Sequence, residues 1–236
     1  MIIKNGQVLL FEEGGFVKRD ILVKDGKIIK VAEGISPEEA GEEIVDAKGK
    51  FITPGLIDAH SHICISEEGM GAIADDCNDY SDAVMPYLET IDGINPFDLA
   101  VDTAVKAGVT SACVCPGKRQ RGGRAICSVV KLKGKVAEEM VLERKAAVKC
   151  SFGENPKRAG YSFKTRMGNA YLLRKCIEDA IDYKHRKEEA AKDGSYFRTD
   201  IGDGKHAPAV GEKDSAPCAC TQGRRCLHRD QDCKGV

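Results

Sequence analysis

The sequence predicts an α/β protein in which short strands come first and strands alternating with helices come after them. Three observations predict it. Asp25-Gly26 separates two runs rich in β-branched residues, a strong signal for a two-residue hairpin. Apolar runs at 109–115 and 146–152 each stop at a glycine or a Pro-Gly pair. Segments 95–108 and 167–192 carry apolar residues at helical spacing. Strand and helix in alternation call for a parallel sheet or barrel.

Taken in order, Ile2-Ile3, residues 8–11, 21–23 and 28–31 read as strands, with the hairpin turn at Asp25-Gly26. Residues 36–39 form a loop or a single helical turn, and 43–46 resume extended structure. So small a module buries little core by itself and calls for packing against the rest of the chain. At 51–63 an apolar run (Phe51, Ile52, Leu56, Ile57), broken by Pro54-Gly55, leads into His60 and His62. Asn95-Pro96 supplies a cap and a first-turn proline for a helix carrying Phe97, Ala100, Val101, Ala104 and Val105, and Gly108 ends it. Residues 109–115 form a buried strand closed by Pro116-Gly117, 125–133 are extended in hairpin form, and 146–152 are a further strand. A long helix over 167–192 sets Leu172, Leu173, Cys176, Ala180 and Ile181 on one face and charged residues on the other. No short-period repeat marks a solenoid.

The densest chemistry lies at Pro54-Gly-Leu-Ile-Asp-Ala-His-Ser-His62. In a strand, residues i and i+2 share a face. His60 and His62 therefore project together from the end of a short buried strand, as two imidazoles sharing a metal ion must. Neutral imidazole suits zinc and related divalent ions. Asp58, one step earlier, is placed to orient a ligand.

At these residues the chain resembles the metal-dependent amidohydrolase superfamily, and within it the imidazolonepropionase-like members. The resemblance extends back to residue 1 and forward, with gaps, to about Gly202. It implies a small β-sandwich over residues 1–54, then the first half of a (β/α)8 TIM-type barrel over 55–202. It also implies a divalent ion, with zinc expected, that activates water against the carbonyl of a small, non-peptide, cyclic amide. Two histidines leave such a site incomplete. Two residues compete for the next ligand. Glu154 follows a strand and a glycine, where barrel sites lie, and it is the preferred candidate. Lys149 is the rival, because some relatives use a strand lysine carrying CO2 as a bridging ligand. Asn155, Lys157, Arg158 and Arg166 form a basic cluster able to hold a substrate carboxylate, or else a solvated loop. His185 reads as an exposed helix residue, and Asp75, Asp76 and Asp79 as a solvated loop.

Composition fits a globular enzyme: 42% hydrophobic and 31% charged residues, with a formal net charge of −1. That balance argues against nucleic acid or an anionic membrane as partner. No apolar run approaches the ~20 residues a membrane span needs, and the first residues lack signal-peptide features. Of the eleven cysteines, Cys64, Cys77, Cys113, Cys115, Cys127, Cys150 and Cys176 lie in apolar segments, as reduced cysteines do. The expectation is a cytoplasmic protein with a small-molecule amide substrate; self-association into a homo-oligomer is left open.

Residues 55–202 fall short of the ~250 a typical barrel needs. From residue 203 to 236 the apolar period disappears, and Cys218, Cys220, Cys226 and Cys233 crowd together. Three readings apply: a disordered tail, a cysteine-rich zinc module using Cys218, Cys220, Cys226 and His228, or a one-base frame disruption near Gly202. Read one base later, the codons allowed for 217–236 include paired histidines and then an amphipathic helix, which favours the third. Residues 118–121 form a smaller patch of the same kind. On that reading the chain is a catalytically inactive fragment of an amidohydrolase.

Overall fold

The computed structural model describes residues 1–39, 43–79, 81, 84–117, 126–151, 164–199 and the backbone of 219–221. It is an α/β structure that divides into two compact units, Met1–Gly55 and Leu56–Val236.

The first unit is a single five-stranded sheet. Its strands are β1 (Ile2–Leu10), β2 (Gly15–Lys24), β3 (Lys27–Ala32), β4 (Ile44–Asp46) and β5 (Phe51–Ile52). The order is β3-β2-β1-β4, with β5 also paired to β1. Asp25 (φ 51°) and Gly26 (φ 72°) both take left-handed conformations. That is the twist a two-residue hairpin between β2 and β3 requires. Ile2, Leu22 and Ile35 form its buried core. The buried Asp20 carboxylate accepts the backbone N–H groups of Asn5 (2.9 Å) and Ile35 (3.0 Å). It thereby satisfies the Asn5 donor left over where the β1 register shifts and the Ile35 donor in the loop after β3.

In the second unit the sheet order is β10-β9-β8-β7-β6. Its strands are β6 (Leu56–Ser61), β7 (Val109–Val114), β8 (Ile126–Lys131), β9 (Val141–Ser151) and β10 (Ala219–Thr221). β6 pairs parallel to β7 and β9 parallel to β10, whereas β8 runs antiparallel to both of its neighbours. The parallel expectation therefore holds for two pairs and fails at β8. Connection length explains the reversal. A parallel crossover needs about a dozen or more residues, usually a helix. The β8–β9 link has room only for the single turn α2 (Ala137–Met140), and 115–125 has no helical apolar period.

Between β6 and β7 runs α1 (Leu99–Lys106). It starts later than the Asn95-Pro96 signal predicts, because Asn95 Oδ1 caps a turn at Phe97 N–H while Asp98 becomes the helix cap. Asp98 is buried and accepts three backbone N–H groups: Ala100 (3.0 Å), Cys64 (2.8 Å) and Glu68 (3.0 Å). Val101 and Ala104 face the main core of Cys64, Ile91, Val114, Val130 and Met140, while Phe97 is exposed. The long helix α3 (Arg166–Asp193) is capped by Thr165, whose hydroxyl accepts Gly168 N–H, and ends at Gly194 (φ 73°). It buries Cys176, Ala180 and Tyr183, and His185 is exposed. Among the described residues no helix is long and apolar enough to cross a membrane.

Candidate metal centre

β6 was expected as a buried strand, yet it forms an edge of its sheet among the described residues, with Leu56 and Ile57 exposed. Its second half is shaped by a bulge. Asp58 pairs with Ala112 and Ser61 with Val114, so β6 carries one extra residue there, and a bulge re-aims the side chains beyond it. Asp58 stabilises this bulge by accepting the His60 backbone N–H at 3.0 Å. Its carboxylate thus serves the main chain of His60, where the sequence had suggested an imidazole.

Beyond the bulge the two imidazoles converge. The His60 and His62 ring centroids lie 5.5 Å apart, edge to face at 78°. His62 Nδ1 is 2.6 Å from the Cys115 carbonyl oxygen. A carbonyl only accepts, so Nδ1 carries a proton, and whenever the ring is neutral Nε2 holds the lone pair. From β9 comes Lys149, fully buried, with Nζ 3.0 Å from His60 Nε2. Burial first, then the positive charges of Lys149 and His62, holds the His60 imidazole below its ordinary range. It stays neutral at pH values where a solvated imidazole takes up a proton.

Glu154, the preferred third candidate, lies outside the described residues, as do Asn155, Lys157 and Arg158. Arg166 is exposed at the start of α3. Asp75 and Asp79 accept nearby backbone N–H groups at Cys77 and Ser81, organising their own loop. Cys218, Cys226, Cys233 and His228 fall outside the described residues, and Cys220 is described only as backbone in β10.

Sequence reasoning missed a cluster of thiols. It treated Cys113, Cys115 and Cys127 as scattered core residues, but their sulfurs all lie within 4.8 Å of one another. The signal was available in part: Cys113 and Cys115 alternate along one strand and therefore share a face. Hydrogen bonds from Cys115 and Cys127 hold the Cys113 thiol far below its ordinary range, and the charges of His60 and Lys149 add to this. Cys115 and Cys127 are pushed up by hydrogen bonding with Cys113 and by burial. Of the three, Cys113 is the thiol that ionises first.

No family model matches the chain. It is 33% identical over 187 residues to amidohydrolase tasK of Hapsidospora irregularis, an alignment covering 72% of this chain and 19% of that protein. Over 62 residues it is 52% identical to a dihydroorotase of Bacillus cytotoxicus, covering 26% of this chain and 14% of the relative. The crystal structure of an amidohydrolase from Thermotoga maritima MSB8 superposes with a TM-score of 0.85 at 37% identity, covering 93% of this chain and 57% of that one. The chain thus spans a small fraction of its curated relatives and little more than half of the solved one.

Proposed function

Because the chain belongs to the metal-dependent amidohydrolase superfamily, to whose N-terminal part it corresponds, we propose that it encodes part of a hydrolase opening a cyclic, non-peptide C–N amide bond at a divalent-metal centre built on His60, His62 and Lys149. The observation that carries this reading is the meeting of β6 and β9 at one point, with Lys149 Nζ 3.0 Å from His60 Nε2 and the two imidazoles side by side.

The donor set suits a divalent ion. His62 donates Nδ1–H to the Cys115 carbonyl, which fixes its tautomer and leaves Nε2 for a metal, an arrangement metal-binding histidines commonly use. His60 is kept neutral by burial and by its neighbours' charge, as a ligand must be. Lys149 fits less simply. Its amine sits on the His60 lone pair, and an ammonium there repels a cation. Addition of CO2 resolves the conflict: the ammonium gives up a proton, the free amine nitrogen bonds the carbon of CO2, a second proton leaves, and the side chain becomes an anionic carbamate with two oxygen donors. Glu154 is the other carboxylate source for the same centre. Imidazole with carboxylate-type oxygen suits zinc and other first-row divalent ions.

A divalent ion bound here supplies Lewis acidity and lowers the pKa of water. Around it, the chain's own residues keep both imidazoles oriented and bury the Lys149 side chain away from solvent. The dihydroorotase among the relatives favours a cyclic amide as substrate, and the imidazolone rings suggested by the motif are of the same class. A second reading, in which this chain holds the ion without turning substrate over, is favoured by the exposed Leu56 and Ile57 of β6.

Metal content of the purified chain against His60→Ala, His62→Ala and Lys149→Met tests the centre. The expected outcome is that the parent holds about one equivalent of zinc more per chain than either histidine variant. Labelling with 13C-bicarbonate should give a carbamate carbon signal that Lys149→Met abolishes. Turnover of cyclic amides by the metal-loaded chain separates the two readings, and metal retained equally by all three variants defeats both.

A further inference from the structure

We propose that Cys113, Cys115 and Cys127 form a second, sulfur-rich metal site that takes a thiophilic cation such as zinc, cadmium or copper(I). The strand register builds it. Antiparallel pairing sets Cys113 opposite Val129 and Val114 opposite Ser128. Continued one step beyond the end of β7, that register brings Cys115 towards Cys127, in keeping with the three sulfurs meeting on one side of the β7–β8 pair.

Their sulfurs lie within 4.8 Å of one another, and Cys113 Sγ is 3.8 Å from Cys115 Sγ. Metal–sulfur bonds of about 2.3 Å place thiolates about 3.8–4.0 Å apart around a tetrahedral or trigonal ion. The cluster therefore needs only small side-chain adjustments to close on a cation. All three are free cysteines. Soft thiolate donors select zinc and copper(I) over hard cations.

Ordinary core packing accounts poorly for this arrangement. Cys115 and Cys127 cluster with Ala147 and the partly buried Cys113, apart from the main apolar core. The group contains no branched or aromatic side chain. Half-buried Cys113 offers an entry path that the fully buried pair lacks. Binding a divalent ion forms three metal–sulfur bonds, and the thiols still protonated give up their protons to solvent.

The test uses the full chain with Cys218, Cys220, Cys226 and Cys233 replaced by serine, kept reduced, and titrated with cadmium. Sulfur-to-cadmium charge-transfer absorption should saturate at one equivalent, and X-ray absorption should count three sulfur neighbours. His60→Ala with His62→Ala, which empties the proposed hydrolytic centre, should leave both signals in place. Cys113→Ser should remove about a third of the charge-transfer intensity and weaken binding at least tenfold. If Cys115 or Cys127 variants fail to fold, the sulfur count of the tail-substituted chain and the Cys113→Ser variant still decide. Fewer than three sulfur neighbours, or an absorption that Cys113→Ser leaves unchanged, overturns the proposal.

Discussion

At the scale of single residues, the contact between Lys149 and His60 joins positions 89 apart in sequence. His60 and His62 were legible because a two-residue spacing at a strand end is a local pattern. The meeting of Lys149 with His60 was not, because it depends on how β6 and β9 are set in one sheet. The sequence favours Glu154 as the ligand because it follows a strand and a glycine, and Glu154 lies outside the described residues. The buried position of Lys149 had no local signature. The metal-free protein offers a direct check. The His60 pKa is lowered by burial and by Lys149, so between its folded value and about 6.5 the unfolded chain binds more protons. The stability contribution of neutral His60 is therefore present above the unfolded pKa and is lost as pH falls through the folded one. Lys149→Met removes one cause and leaves burial. Its His60 pKa, read by NMR titration in a chelator, is expected to lie above that of the parent. An unchanged value would place the Lys149 charge away from the ring.

At the scale of elements, β-branched runs and Gly or Pro punctuation made the strands readable, and apolar spacing made α3 readable. Direction was harder. The reversal of β8 comes from connection length, which the sequence displays but which residue periodicity ignores. The start of α1 was misplaced because Asn95-Pro96 satisfies a common capping pattern, whereas the buried Asp98 carboxylate also serves Cys64 and Glu68. That long-range demand settles which residue becomes the cap. Asp98→Ala should cost about 2–4 kcal/mol in denaturant unfolding, combining a lost cap with a buried, orphaned Cys64 N–H. Thr165→Ala, which removes a cap with one local partner, should cost only about 1 kcal/mol. Equal losses at the two sites would mean that Asp98 does nothing beyond capping.

At the scale of the whole molecule, the α/β character is plain from composition and alternation, but the edge position of β6 is not. Leu56 and Ile57 read as buried strand residues, because apolar β-branched runs normally are. Leu56 is 57% exposed and Ile57 71% exposed. Among the described residues β6 pairs on one side alone, and a parallel edge strand with exposed apolar side chains is a template for pairing with other chains. The chain should therefore associate in a concentration-dependent way that salt weakens little, since no ion pair drives it. Ile57→Lys places a charge on that edge three residues before His60, leaving the metal-binding side chains intact. It should raise the concentration at which sedimentation detects larger species, while zinc content stays that of the parent. Were association instead unaffected by Ile57→Lys and abolished by salt, the edge of β6 would not be its cause, and charged surfaces such as the exposed face of α3 would be the place to look.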